Sequence, residues 1–332
     1  MSNNLVEQVL KTIRNYDMLE PGDTVLAAVS GGPDSVFLLY ALNQLKAKLK
    51  LKAIAVCNLD HGLRGKESRQ DSLFVKRLAE KAGARFIHKK INLDKVKRNG
   101  FSTEELARQA RYKFFKEAAE RSGANVIATG HTLDDQAETV LMRFIKGASL
   151  KGILGISPVR DEGGFSIIRP LLELEKDLVK KFLDGKNIAY RLDCTNLEPI
   201  YFRNVVRQEI IPFLEKYNPR LKRVLFNLSE HLREDFQFIE ERMNSVRKEA
   251  LYAKKGSAEI KLKDIIIQPK AIQKEILRDL LGKTGGEIKG LSFRHWKEME
   301  NLIKHKRSGS SVDLPGGIRL TRTQSVLVFH RI

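Results

Sequence analysis

No Cys-x-x-Cys pair occurs anywhere in the chain, and its two cysteines, Cys57 and Cys194, lie far apart. That excludes a disulfide framework, a zinc ribbon and a cysteine-held iron–sulfur cluster. Cys57 sits in an apolar run and reads as a small core residue, whereas Cys194 has no neighbour that marks it as a nucleophile. No apolar run approaches the roughly 20 residues of a membrane-spanning helix. The start, Met1-Ser2-Asn3-Asn4-Leu5, lacks the basic and apolar regions of a secretory signal. A cytoplasmic location is therefore expected. Internal repeats and low-complexity tracts are missing too.

Acidic residues are in short supply. The 332 residues hold 41 Asp+Glu against 60 Lys+Arg, a formal net charge of +19. Such an excess favours a polyanionic partner, nucleic acid first, although a basic surface can also serve solubility alone. The excess is uneven. From Lys216 onward there are 25 basic and 14 acidic residues in 117 positions, against 35 and 27 in the first 215. The shorter part carries the denser charge, so it is the better candidate for gripping a phosphate backbone.

What is present begins with Thr24-Val-Leu-Ala-Ala-Val-Ser-Gly-Gly-Pro-Asp-Ser35, followed at once by Val36-Phe-Leu-Leu39. This reads as a buried strand, a tight loop and a helix start. Unpaired N–H groups at such a start favour an anion. The loop lacks the Gly-Lys-Ser/Thr of a Walker A motif, so it must handle a nucleotide without that lysine. The pattern then predicts strands at 51–59, 85–91 and 125–129, with helices near 34–47, 66–82, 102–122 and from 134. Ser102-Thr-Glu-Glu105 is a capping box for the third of these helices. Alternating strands and helices imply a doubly wound, mainly parallel α/β sheet. The loops after residues 29, 59 and 129 should then meet at its carboxyl edge, where such sheets bind ligands. A boundary is expected at Lys216-Tyr-Asn-Pro219, giving a catalytic domain over 1–215. A smaller α+β domain over 216–332 follows, with a long helix, two shorter ones near 270–281 and 292–305, and terminal β-hairpins.

Several loops carry candidate chemistry. Asp60-His61-Gly62-Leu63-Arg64 places a carboxylate, an imidazole and a guanidinium at the ligand edge. Arg108 and Arg111 share one helix face, fit to balance triphosphate charge or hold RNA. Gly130-His131-Thr132-Leu133-Asp134-Asp135-Gln136-Ala137-Glu138-Thr139 offers adjacent carboxylates, which suit either helix capping or Mg²⁺ beside phosphates. Arg203 and Arg207, one helical turn apart, suit phosphate contacts or a solvated face equally.

Ser30-Gly31-Gly32-Pro33-Asp34-Ser35 resembles the signature of the PP-loop ATP pyrophosphatases. The other segments, with Glu105-x-Ala-Arg-x-x-Arg-Tyr112, Arg169-Pro-Leu-Leu172, Asp193-x-x-Asn196 and Arg203-Asn-x-x-Arg207, make the chain over about 24–220 similar to the tRNA(Ile)-lysidine synthetases. Thr132 departs from that family, whose members often carry a second histidine there. Past residue 220 the likeness is one of layout only.

The resemblance implies a two-step reaction. ATP-Mg²⁺ adenylates the C2 oxygen of the wobble cytidine of tRNA(Ile) with a CAU anticodon. Free lysine then displaces AMP. It further implies ATP binding by Ser30, Gly31, Gly32, Pro33, Asp34, Ser35, His61, Arg64 and Gly130. Catalytic roles fall to Asp34, Arg111, Asp134 and Asp135, without a choice between the last two. Asp34 and Asp135 are the implied Mg²⁺ ligands, and Arg108, Arg203 and Arg207 the tRNA contacts. A homodimer is one candidate state. Two other readings share much of this pattern. A PP-loop tRNA thiolase would usually need the missing Cys-x-x-Cys pairs. A non-enzymatic tRNA-binding protein would have had no reason to keep the loop intact.

Overall fold

The structure, a computed structural model, describes residues 2–60, 66–91, 103–191, 202–254 and 256–332. His61, Arg64, Ser102, Asp193, Cys194 and Asn196 lie outside the described residues, as does the side chain of Glu105. The chain divides into two compact units, Met1–Glu230 and His231–Ile332.

The first unit runs α1 (Ser2–Asn15), β1 (Thr24–Ala28), α2 (Pro33–Leu45), β2 (Ala53–Asp60), α3 (Lys66–Lys81), β3 (Arg85–Lys90), α4 (Thr103–Ser122), β4 (Val126–Ala128) and α5 (Leu133–Ile145). Then come α6 (Leu150–Ile153), β5 (Val159–Asp161), β6 (Ser166–Ile168), α7 (Lys176–Gly185), α8 (Phe202–Val205), a π-helical turn at Val206–Ile210 and α9 (Ile211–Glu215). The strands form one six-stranded sheet in the order β3-β2-β1-β4-β6-β5. All pairs are parallel except β5–β6, an antiparallel hairpin at the edge. This is the expected doubly wound sheet, with an edge hairpin and an N-terminal helix that sequence patterning did not anticipate.

Alternation in β1 sends side chains to both faces. Val25 and Ala27 enter a core with Leu10 and Ile13 of α1, Phe37 and Leu38 of α2 and Val179 and Leu183 of α7. Leu26 faces the other way, against Phe114, Phe115 and Ala118 of α4. Both faces are therefore covered by helices, as an all-buried parallel sheet requires. Truncating a fully buried side chain such as Phe37, 0% exposed, would cost about 3–5 kcal/mol. Cys57, on β2, is also buried, and burial pushes its thiol up to about 12.

Strand order positions the site. From β1 the sheet grows one way to β2 and β3, and the other way to β4 and β6. The direction reverses between β1 and β4, and the crevice beyond their carboxyl ends is where such sheets take ligands. The Ser30–Ser35 loop follows β1, and Gly130–Thr132 follows β4.

Helix α10 (Leu221–Ala250) is 30 residues long. The division between units falls within it because its first turns pack Leu221, Leu225 and Phe226 among residues of the first unit. The second unit holds β7 (Leu251–Lys254), β8 (Ser257–Lys261), α11 (Leu262–Ile266), α12 (Lys270–Lys283), α13 (Phe293–His305), β9 (Ser311–Leu314), β10 (Ile318–Arg322) and β11 (Val326–Arg331). Its strands form an antiparallel sheet, β7-β8-β11-β10-β9. Ile260, Leu320 and Phe329 from the sheet pack with Ile276 and Leu280 of α12 and Leu302 of α13.

Candidate active site

The Ser30–Ser35 loop is built by one hydroxyl. Ser35 Oγ accepts the N–H groups of Ser30 and Gly31, each at 3.2 Å, and donates to the carbonyl of Gly32 at 2.9 Å. Gly31 has φ +98°, a left-handed conformation that glycine adopts without strain. Gly32 caps α2 through its backbone alone, and Pro33 fills the first turn, where its missing N–H costs nothing. The remaining first-turn N–H groups face outward from the helix start. Over the loop, the Arg191 N–H donates to the Gly31 carbonyl at 2.9 Å, and its guanidinium lies 5.2 Å from the Phe74 ring centroid. No local motif around Arg191 advertised this position.

Gly130 is what lets the second loop reach the first. A Cβ on it would stand 3.2 Å from the carbonyl carbon and oxygen of Asp34 and from the Ser35 nitrogen, all backbone atoms. Gly130→Ala is therefore expected to force the two loops apart at a cost of about 1–3 kcal/mol. Equilibrium binding should show ATP held five- to a hundredfold more weakly. An unchanged affinity would mean that the contact is not part of the nucleotide site.

Asp34, in the first turn of α2, has a buried Oδ1 with no hydrogen-bond partner among the described residues. Burial raises its carboxyl to about 6, Lys176 and Lys180 pull it down, and Asp135 and Asp134 push it up. It is a carboxylate held where water is scarce and other carboxylates are near, an arrangement that suits a cation.

The two adjacent aspartates have different surroundings. Asp135 forms a capping box with Thr132. Its Oδ2 accepts the Thr132 N–H at 2.9 Å and hydroxyl at 3.0 Å, and its own N–H points back at the hydroxyl. Its Oδ1 accepts from Lys176 Nζ at 2.9 Å and Arg203 at 3.2 Å. Burial alone would raise its carboxyl, but Lys176, His131 and Arg203 hold it well below the usual carboxylate range. Asp134 instead ties helices together. Its Oδ2 accepts the backbone N–H of Lys176 at the start of α7 at 2.8 Å, and its Oδ1 pairs with Lys222 of α10 at 2.9 Å.

Arg203 and Arg207 point into this network. Arg203 Nε donates to Glu138 at 2.7 Å, and Arg207 reaches both Glu138 oxygens at 2.6 and 3.0 Å. The π-helical turn carries Arg207. It arises ahead of Pro212, which offers no N–H to the ladder, and the Ile211 N–H bonds back five residues to Val206. Sequence reading named Glu138, which is 1% exposed, within its segment but gave it no role, and passed over Lys176. Glu138 carried a signal, lying three residues past Asp135 on one helix face. Lys176 carried none.

His131 bonds Thr129 Oγ1 through Nδ1 at 2.9 Å, and burial lowers its imidazole to about 4, so it is neutral near pH 7. Arg111 lies near enough for its charge to act on His131. Arg108 sits at the rim of α4, its guanidinium 5.4 Å from the Tyr112 ring centroid. Of the expected residues, the structure thus gathers Ser30–Ser35, Gly130, Asp134, Asp135, Arg203, Arg207 and Arg111 about the β1/β4 crevice.

A family model described as a PP-loop domain matches residues 1–214. The tRNA(Ile)-lysidine synthase of Clostridioides difficile strain 630 is 35% identical over 327 residues, covering 98% of this chain and 70% of the relative. That of Geobacillus kaustophilus strain HTA426 is 32% identical over the same length, with the same coverages. Among solved structures, the U34-tRNA thiolase NcsA from Methanococcus maripaludis superposes with a TM-score of 0.56 at 19% identity, covering 70% of this chain and 80% of that one. This likeness speaks to the fold alone. A PP-loop fold and an intact Ser-Gly-Gly-x-Asp-Ser crevice accompany sequence similarity along nearly the whole chain, and on these grounds the chain belongs to the tRNA(Ile)-lysidine synthase family.

Proposed function

We propose that the chain converts the wobble cytidine of tRNA(Ile) with a CAU anticodon to lysidine, using ATP and free lysine and releasing AMP and pyrophosphate. The observation that carries the reading is the β1/β4 crevice, a phosphate-sized loop without a Walker lysine facing a carboxylate cluster. The loop accounts for ATP, and the relatives' name for the acceptor.

The chemistry follows from the residues. The C2 oxygen of cytidine is an amide-like oxygen and a poor leaving group. Its attack on the α-phosphorus of ATP forms an O–P bond, breaks the bond to pyrophosphate and turns that oxygen into part of a leaving AMP. The lysine amine then attacks C2, and the C–O bond to AMP breaks. In the first step negative charge grows on pyrophosphate, where the Ser30–Ser35 backbone N–H groups and Arg111 can meet it. Asp34, with a buried Oδ1 unpartnered among the described residues, fits Mg²⁺. When bound there, the ion would neutralise phosphate charge. Asp135 stands beside Asp34, with both oxygens already accepting hydrogen bonds. Asp134 is occupied in bracing α7 and α10. Asp135, kept ionised against its burial by Lys176, His131 and Arg203, is held too far below the usual carboxylate range to take up the lysine proton, and it serves instead to fix Lys176 and Arg203 beside the crevice.

The test is incubation with ATP, Mg²⁺, labelled lysine and a transcript of the CAU-bearing tRNA(Ile). Label should enter the tRNA with stoichiometric AMP. ATP binding without label in tRNA would sink the reading, and sulfur transfer to the tRNA would favour the thiolase alternative.

A further inference from the structure

On the face of the sheet covered by α4, three arginines gather with one carboxylate among the described residues paired to them. Arg160 of β5 pairs in register with Ile167 of β6, so the two share a face, and Arg169, two residues beyond Ile167, shares it as well. That face is covered by α4, because Ile167 packs in one cluster with Phe115 and with Tyr112 beside it. The Arg160 guanidinium lies 4.5 Å from the Tyr112 ring centroid and that of Arg108 5.4 Å. Tyr112 also lies close enough to act on the Arg169 guanidinium. Among the described residues, Glu162, paired with Arg160, is the one carboxylate that bridges to any of these three arginines.

The cluster has a floor and a rim. Arg169 is 4% exposed, Arg160 half-buried and Arg108 exposed. Arg169 donates to the carbonyls of Ser157 and Ile167, yet its Nε is buried without a partner among the described residues, and so is the Nε of Arg160. Burial and the charges of Arg160 and Arg108 bring the Arg169 guanidinium down to about 10. Buried guanidinium charge that so few carboxylates match is costly, and an anion held at the exposed Arg108 and half-buried Arg160 would offset it. The planar fork of arginine matches a phosphate best.

Two sources of phosphate are at hand, ATP and RNA. The ATP phosphates have their own cradle after β1. Strand β5 is three strands away from β1, roughly 14 Å across the sheet at about 4.8 Å per strand. We propose that Arg108, Arg160 and Arg169 around Tyr112 form a binding site for a backbone phosphate of the substrate tRNA. The site holds the strand while the reacting base enters the β1/β4 crevice. This rests on the reading that the chain acts on tRNA.

The experiment measures binding of the CAU-bearing tRNA(Ile) transcript across a salt series for wild type and for the double variant Arg108→Ala/Arg160→Ala, with ATP affinity measured alongside. The expected result is a roughly tenfold rise in the Kd for tRNA, a log K against log salt slope shallower by about one to two, and unchanged ATP affinity. An unchanged tRNA affinity and slope would overturn the proposal, as would a loss of ATP affinity with tRNA binding intact. Arg108→Ala alone, at the exposed rim, reads the same slope if the double variant does not fold. The wider reading fails separately. A protein that shows these shifts but makes no lysidine keeps the phosphate site and loses the proposed reaction.

Discussion

Asp34→Asn is expected to lower AMP formation by about 10²–10³-fold or more and yet to raise the melting temperature of the ligand-free protein. Both effects come from one atom pair. The Asp34 carboxyl is raised from 3.8 to about 6 chiefly by burial, and its Oδ1 has no hydrogen-bond partner among the described residues. Between these two values the folded protein holds a proton that the unfolded chain has released. Stability therefore declines as pH rises through that window, by at most about 3 kcal/mol. Asparagine carries no charge and escapes that penalty. Thermal melts of wild type should rise as pH falls from 7.5 towards 5, whereas this contribution should be missing from the variant. Mg²⁺ with ATP should raise the wild-type melting temperature and leave the variant nearly unmoved, because the carboxylate is the group proposed to meet the ion. A variant that melts below wild type at pH 7.5 would show that Asp34 has a structural partner after all.

The fold was most legible where local and long-range signals agree. β1, its loop and α2 combine an apolar run, turn residues and a second apolar run, so their limits are visible within a residue or two. The edge hairpin β5–β6 was not legible. Its strands are three residues each, and only Gly163 and Gly164, at φ +65° and +122°, punctuate them. Helix α1 did carry a signal. Leu5, Val9 and Ile13 repeat every four residues on a buried face.

The candidate site divides along the same line. Topology alone brought Asp34, Asp134 and Asp135 to one crevice. Their partners Lys176, Lys222 and Arg203 come from 41 to 88 residues beyond Asp134 or Asp135 along the chain, with no motif to link them. Arg203 and Arg207, read as phosphate contacts or a solvated face, spend their donors on Glu138 and Asp135. Thr132 was notable only as a departure from the family. Its hydroxyl and the Asp135 carboxylate form a capping box, a role that the spacing of Thr132 and Asp135 makes readable.

Glu138→Ala is expected to cost about 3–5 kcal/mol in urea unfolding, the largest stability loss of any single change in this network. Glu138 is 1% exposed and receives Nε of both Arg203 and Arg207. Without it, two guanidiniums converge on a void, with Asp135 the one carboxylate in reach among the described residues, 3.2 Å from Arg203 and 3.8 Å from Arg207. Arg203→Ala or Arg207→Ala leaves Glu138 with its other arginine and should cost less. The sum of the two should not equal the loss at Glu138, because all three share contacts. Replacing all three by apolar residues of similar volume, as in Glu138→Leu/Arg203→Met/Arg207→Met, should recover much of the stability, since a buried ion network gains little over good packing. AMP formation should stay low in that triple variant. Arg203 is one of the cations that hold Asp135 ionised, and the packing that replaces it does not. Recovery of activity together with stability would instead make the network a scaffold and remove Asp135's cation shell from the reaction.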